Sequence, residues 1–149
     1  MIVPLDLDDE RTGGAVLALQ RAAYAVEAEL VGSDDIPGLR ESLDELRATT
    51  EHFVGIFDGD VLVAALSYVE TDELLDVCRL VVAPASSRRG LGERLIRWAL
   101  ESVARPVTVV STGSANAPAV ALYAKLGFTG LRDEEVVPGL SVTHFELRR

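Results

Sequence analysis

The chain has 149 residues, 48% apolar and 26% charged, a balance that excludes disorder and suits one folded domain over residues 1–149. At that length folding removes about 70% of the unfolded surface from water, so the core needs no metal or disulfide staple. Twenty-four Asp and Glu against 14 Lys and Arg leave a net charge of −10, which disfavours nucleic-acid backbones and anionic membranes and weakly favours a cationic small molecule or a basic partner.

Cys78 is the one cysteine and there are two histidines, so no internal disulfide forms and a metal site lacks ligands. The N-terminus turns acidic at Asp6 without a cationic leader, and the longest apolar run, Val61–Leu66, is too short to cross a bilayer. A cytoplasmic protein is expected.

In chain order, Val16, Leu19, Ala23, Val26 and Leu30 recur at helical spacing over residues 10–31, and Gly32-Ser33 closes that helix. Turn residues fill 32–38. A second helix is expected from Leu39 to Thr50, with Leu39, Leu43 and Leu46 inward. Phe53–Phe57 and Val61–Val69 form a hairpin about Asp58-Gly59. Leu74–Ala83 is an apolar central strand, and Pro84 ends it. A helix from Gly90 to Ala104 buries Leu91, Leu95, Trp98 and Ala99. Val107–Ser111 is a short strand. Ala117–Leu126 is a helix with Pro118 in its first turn and Gly127 past its end. Phe128–Val137 and Leu140–Leu147 pair about Pro138-Gly139. The order α-α-β-β-β-α-β-α-β-β describes an α/β (α+β) sheet with helices packed on it.

The stretch from Leu80 to Leu95 carries the strongest chemical signal. A buried strand stops, a loop of Ser86, Ser87, Arg88, Arg89, Gly90 and Gly92 follows, and an amphipathic helix starts. Unpaired N–H groups and the positive end of a helix dipole then converge on one point, an anion site. Glu93-Arg94 after Gly92 excludes a P-loop, and Leu95 excludes a dinucleotide fingerprint.

A second segment, Asn116-Ala117-Pro118-Ala119-Val120-Ala121-Leu122-Tyr123-Ala124-Lys125-Leu126-Gly127-Phe128, follows the next strand. Together the two resemble the GNAT superfamily of N-acetyltransferases. Val82-Ala83-Pro84 with Ser87 to Gly92 matches that family's (Gln/Arg)-x-x-Gly-x-(Gly/Ala) loop, with Ser87 standing where Gln or Arg is usual. Asn116, Ala119, Leu122, Tyr123, Gly127 and Phe128 match its second signature. The resemblance implies a mixed, mostly antiparallel sheet of six to seven strands with a splayed parallel pair and about four helices.

It also implies acetyl-CoA as co-substrate, with no metal, and an acetyl group moved to a primary amine without a covalent enzyme intermediate. The pyrophosphate would rest on Ser87, Arg88, Arg89, Gly90, Leu91, Gly92 and Glu93, and the pantetheine arm on Leu80, Val81 and Val82 beside Asn116 and Ala119. The strands would part at a bulge near Val81, and an N–H near Val81 or Val82 would polarise the thioester carbonyl. Tyr123 matches the family's acid for the leaving thiolate, and Asp76 the base of some relatives. Strand alternation puts Asp76 with Cys78 on one face and Val77 with Arg79 on the other, with Cys78 as core packing. Glu27, Glu29, Asp34 and Asp35 are rival carboxylates, and a water chain would need no single base. A small-molecule amine is the first expectation for the acceptor. A protein N-terminus or lysine, and a non-catalytic acyl-CoA-binding module, are alternatives. Homodimerisation is left open.

Overall fold

Asp9 starts the first helix by accepting a hydrogen bond from the Thr12 N–H, and Gly32 ends it in the left-handed conformation at φ 71°. Between them α1 runs Glu10–Val31. The computed structural model describes residues 1–36, 38–87 and 89–149, so Pro37 and Arg88 lie outside the described residues. The remaining helices are α2 (Leu43–Arg47), α3 (Leu91–Ser102) and α4 (Ala117–Lys125), with a 3₁₀ turn at Pro84–Ser86. The expected second helix is shorter than its leucine spacing suggests. Gly38 turns the chain at φ 87°, and a Ser42–Glu45 capping box starts the helix four residues later.

Seven strands form one sheet: β1 (Ile2–Pro4), β2 (His52–Asp58), β3 (Val61–Glu70), β4 (Leu74–Val82), β5 (Val107–Gly113), β6 (Thr129–Val137) and β7 (Leu140–Arg148). The order is β1-β2-β3-β4-β5-β7-β6, and all neighbours are antiparallel except β4 and β5. Three-residue β1, added at the edge beside β2, has too little periodicity to be read from sequence.

One face of the sheet packs on α3 and α4 through Leu66, Leu75, Val77, Leu95, Ile96 and Phe145. The other packs on α1 and α2 through Val16, Leu19, Leu46, Phe53 and Val81. Trp98 is only partly buried, against Tyr68, and Ile96 takes the inner place expected for it. A third cluster, Ala28, Ile36 and Leu140, ties the end of α1 to the β6–β7 turn. Gly55 has no room for a side chain, since a Cβ there would lie 2.8 Å from both Leu5 and Leu62 and 3.0 Å from the Ala64 carbonyl. Gly55→Val is therefore expected to cost about 1–3 kcal/mol by overpacking, read as a lower urea midpoint; an unchanged midpoint would show that these neighbours yield.

Candidate active site

The parallel pair is short. Leu74, Leu75 and Asp76 pair with Val107, Thr108 and Val109, and beyond them the two strands have no further partners in each other. From Val77 onward, the β5-facing backbone edge of β4 is open. The irregularity that accompanies this split lies on β4 opposite β3. Ser67 pairs with Arg79 and Tyr68 with Val77, leaving Cys78 as the extra residue. The bulge therefore sits three residues before Val81, the position expected for it.

One extra residue inverts the alternation that follows. Arg79 shares the α1/α2 face with Asp76, not the face of Val77, and Cys78 is exposed instead of being core packing. Its thiol is pushed up to about 11, first by burial of the sulfur's surroundings, then by the charges of Glu51 and Asp76.

Two neighbouring hollows lie at the split. The outer groove, of about 440 Å³, runs between α1 and the starts of α3 and α4, over Leu80, Val81 and Val82. Ser86, Ser87, Gly90, Leu91, Gly92 and Glu93 border it at the α3 end. Its other wall is the side of α1 that carries Val26 and Leu30, 42% and 47% exposed. These two continue the helical spacing of Val16, Leu19 and Ala23, but it is Val16, Leu19, Gln20 and Ala28 that α1 buries.

At its α3 end the groove meets a helix start that no described side chain caps. Side chains cap α1, α2 and α4, but Gly90, at φ 72°, gives α3 no side-chain cap. The first-turn N–H groups of Leu91, Gly92 and Glu93 thus face outward with no intrahelical acceptor. A carboxylate in that turn would oppose an anion, but Glu93 is held by Lys125 at 2.7 Å and Arg97 at 3.0 Å, which keep its carboxyl below the usual range.

Of the loop residues, Ser87 folds back to donate to the Pro84 carbonyl at 3.0 Å, and Arg89 pairs with Asp58 at 3.2 Å on the exposed surface. Arg89 does not border the groove as it stands, and Arg88 lies outside the described residues.

The inner cavity, of about 210 Å³, lies in the split itself, lined by β4 from Val77 to Leu80 and β5 from Val110 to Gly113. Tyr24, Glu27, Leu80, Asn116 and Ala119 border both hollows and form the wall they share. Asn116 caps α4 by accepting from the Ala119 N–H at 3.4 Å and donates to Thr112 Oγ1. Tyr123 is 3% exposed, with its ring against Phe128 and Phe145 at centroid distances of 5.7 and 5.5 Å. Its phenol lines the cavity, and burial, then Glu27 and Tyr24, push its pKa well up, so it stays protonated.

Asp76 stands apart from this cavity, at the last paired position before the split. Its carboxyl is raised by burial and by Glu51, the direction that makes a carboxylate a better base. Among the rival carboxylates, Glu27 reaches both hollows, Glu29 is exposed on α1, and Asp34 and Asp35 border a separate depression with Glu41 and Glu45.

Gln20, Tyr24, Glu41 and Glu51 carry no signal of their own in the sequence, and Arg79, placed there on the face of Val77, pairs with Glu41 and Glu51. Arg79 donates to both Glu41 and Glu51 and, at 2.8 Å, to Gln20 Oε1. The one legible sign was on α1, where Gln20, Tyr24 and Glu27 fall at i, i+4 and i+7, a polar stripe on one face of the helix.

A seven-stranded mixed sheet whose single parallel pair parts beside an uncapped helix start is the architecture of the GNAT acetyltransferases. The family model described as the acetyltransferase (GNAT) family matches residues 16–128, and the chain belongs to that family. The protein named UPF0157 protein YqkA of Bacillus subtilis (strain 168) is 35% identical over 134 residues, 89% of this chain and 39% of that protein. The mycothiol acetyltransferase of Mycobacteroides abscessus is 37% identical over 136 residues, 87% of this chain and 43% of that protein. The chain thus spans about two-fifths of the length of these curated relatives. Among solved structures, smu.2055 from Streptococcus mutans UA159 matches with a TM-score of 0.81 at 20% identity, covering 99% of this chain and 98% of that one. PaiA N-acetyltransferase from Thermoplasma acidophilum, solved in complex with coenzyme A, matches at 0.75 and 16% identity, over 97% and 96%. At such identities the likeness establishes the fold.

Proposed function

We propose that the chain transfers an acetyl group from acetyl-CoA to a primary amine of a small molecule by direct attack. The observation that carries this reading is that the groove at the uncapped start of α3 and the cavity lined by Tyr123 are neighbours, sharing Tyr24, Glu27, Leu80, Asn116 and Ala119 as wall residues. The residues present suit the co-substrate. Unpaired N–H groups at Leu91, Gly92 and Glu93 would hold a pyrophosphate, and the open edge of β4 with Val26 and Leu30 would cover an extended, partly apolar arm. Ser87, Arg88 and Arg89 stay in the proposed phosphate loop, and Asn116 and Ala119 flank the arm. Acetyl-CoA supplies the activated acetyl group as a thioester.

Because Tyr123 belongs to the inner cavity and Val81 and Val82 to the outer groove, the carbonyl-polarising N–H is assigned near Leu80, which borders both. Tyr123 gives its proton to the leaving sulfur. A thiolate formed beside this buried ring would be poorly hydrated, which favours its taking the phenol proton. Asp76 takes the acceptor's proton through water, since it does not line the cavity itself.

Calorimetric titration with acetyl-CoA, followed by thiol release against a panel of amines, tests this reading. Binding with amine-dependent thiol release is expected. Binding without turnover by any acceptor would instead describe a non-catalytic acyl-CoA-binding module, and absence of binding would overturn the site. Gly90→Asp is expected to weaken acetyl-CoA binding by about 10–100-fold through like-charge repulsion at the helix start. A Cβ at Gly90 meets no described neighbour within 4 Å, but the φ of 72° strains any L side chain there. Gly90→Asn, which carries the same strain without the charge, is the control and should bind acetyl-CoA more tightly than Gly90→Asp. Unchanged affinity would refute the phosphate placement.

A further inference from the structure

We propose that the acceptor is an amine with no free carboxylate beside its nitrogen, and that Glu27 is the group that receives its ammonium. This rests on the transferase reading above and specifies the substrate class that the inner cavity admits.

Two charged side chains line that cavity among the described residues, Glu27 and Arg79. An amino acid would need a cation for its carboxylate, and Arg79 is the candidate by position. A guanidinium carries five N–H donors. Here Nε donates to Glu51 Oε1, one terminal nitrogen to Gln20 Oε1 and Glu41 Oε1, and the other to Glu41 Oε2 and Glu51 Oε2. Five bonds engage five donors. The side chain is 13% exposed and packs over the Phe53 ring, so it cannot swing to a new partner without breaking this set. The two carboxylates also outweigh its single charge.

Glu27 is the opposite case. It is half-buried, borders both hollows, and forms no ion pair among the described residues. The groups that meet it in this lining are Tyr24 on its own helix, Cys78 and Arg79 on β4, Ser111 to Gly113 on β5, and Asn116 and Tyr123 on α4. Its Oε1 lies 3.6 Å from the point where a Cβ at Gly113 would stand, so the carboxylate reaches the end of β5. Burial raises its affinity for a proton, while the Asn116 amide and the Gly113 N–H limit the rise. A half-buried carboxylate that lines a cavity and has no ion-pair partner among the described residues is a site for an ammonium. An acceptor carboxylate in the same space would meet Glu27 with no free cation to offset it.

The test uses matched pairs on the unaltered protein: tyramine against tyrosine, cadaverine against lysine, and agmatine against arginine. For each, kcat/KM is expected to be at least about tenfold higher for the amine that lacks the carboxylate. The corresponding amino-acid amides should behave like the amines. Glu27→Gln, nearly the same shape, should raise the amine's KM by at least about tenfold, leave the Kd for acetyl-CoA unchanged, and narrow the ratio within each pair. Equal or better use of the amino acids, an unmoved KM in Glu27→Gln, or no turnover of any simple amine by protein that binds acetyl-CoA overturns the proposal. Failure to bind acetyl-CoA overturns the underlying transferase reading instead.

Discussion

Tyr123→Phe is expected to lower kcat by about 10²–10⁴-fold while leaving the Kd for acetyl-CoA within about twofold. The hydroxyl is the one group removed. The ring keeps its contacts with Phe128 and Phe145, and the side chain already lies 3% exposed in a core of aromatic and aliphatic neighbours. Stability should therefore change by no more than about 1.5 kcal/mol. The sign of the pH effect follows from the raised phenol. Tyr123 holds its proton throughout the neutral range, so its deprotonation does not limit the unaltered enzyme there. In the variant the thiolate must take its proton from water, and the loss should appear in single-turnover kinetics as slow thiol release. A variant with full kcat would show that water already serves as the acid and that Tyr123 packs the cavity wall.

The sequence carried the glycine-led start of α3 and the Asn116-capped helix α4 well because each is a local arrangement of turn residues, glycines and helical spacing. Other features were hidden for physical reasons. Val26 and Leu30 continue the apolar period of α1, but periodicity does not distinguish a core from a groove that awaits a ligand. Cys78 is a single extra residue, and one bulge suffices to move Arg79 to the other face of the sheet without altering composition. Leu39 fits the leucine spacing of the next helix, yet the left-handed turn at Gly38 and the capping box at Ser42 start that helix later. The Arg79 cluster was the least visible. Its partners lie 28, 38 and 59 residues away, so only the folded sheet with α1 across it brings them together.

That cluster carries the other large expectation. Arg79→Ala should destabilise the fold by about 3–5 kcal/mol, because it leaves Glu41 and Glu51, two largely buried carboxylates, facing one gap with no cation. The pH dependence separates this cause from the mere loss of side-chain packing over Phe53. In the unaltered protein the Arg79 hydrogen bonds hold the Glu41 carboxyl below its usual value, against the opposing effect of burial. Stability from a lowered carboxyl is complete above the unfolded value of 4.5 and is lost as pH falls through the lower folded value. In the variant Glu41 loses its cation and faces the Glu51 carboxylate across the gap, so it protonates more readily and acidification relieves the repulsion. The difference in urea midpoint between the two proteins should accordingly be largest near pH 7 and shrink toward pH 4. A difference that is the same at both would assign the loss to packing, and no difference at all would show that the five bonds of Arg79 add nothing net to stability. The pair also fixes the wall of the inner cavity, since Glu41 lies just before α2 and Arg79 on the bulged strand. If Arg79→Ala loosens that wall, KM for the amine should rise more than kcat falls, because the proposed acetyl-CoA contacts lie at the far end of the groove, at α3.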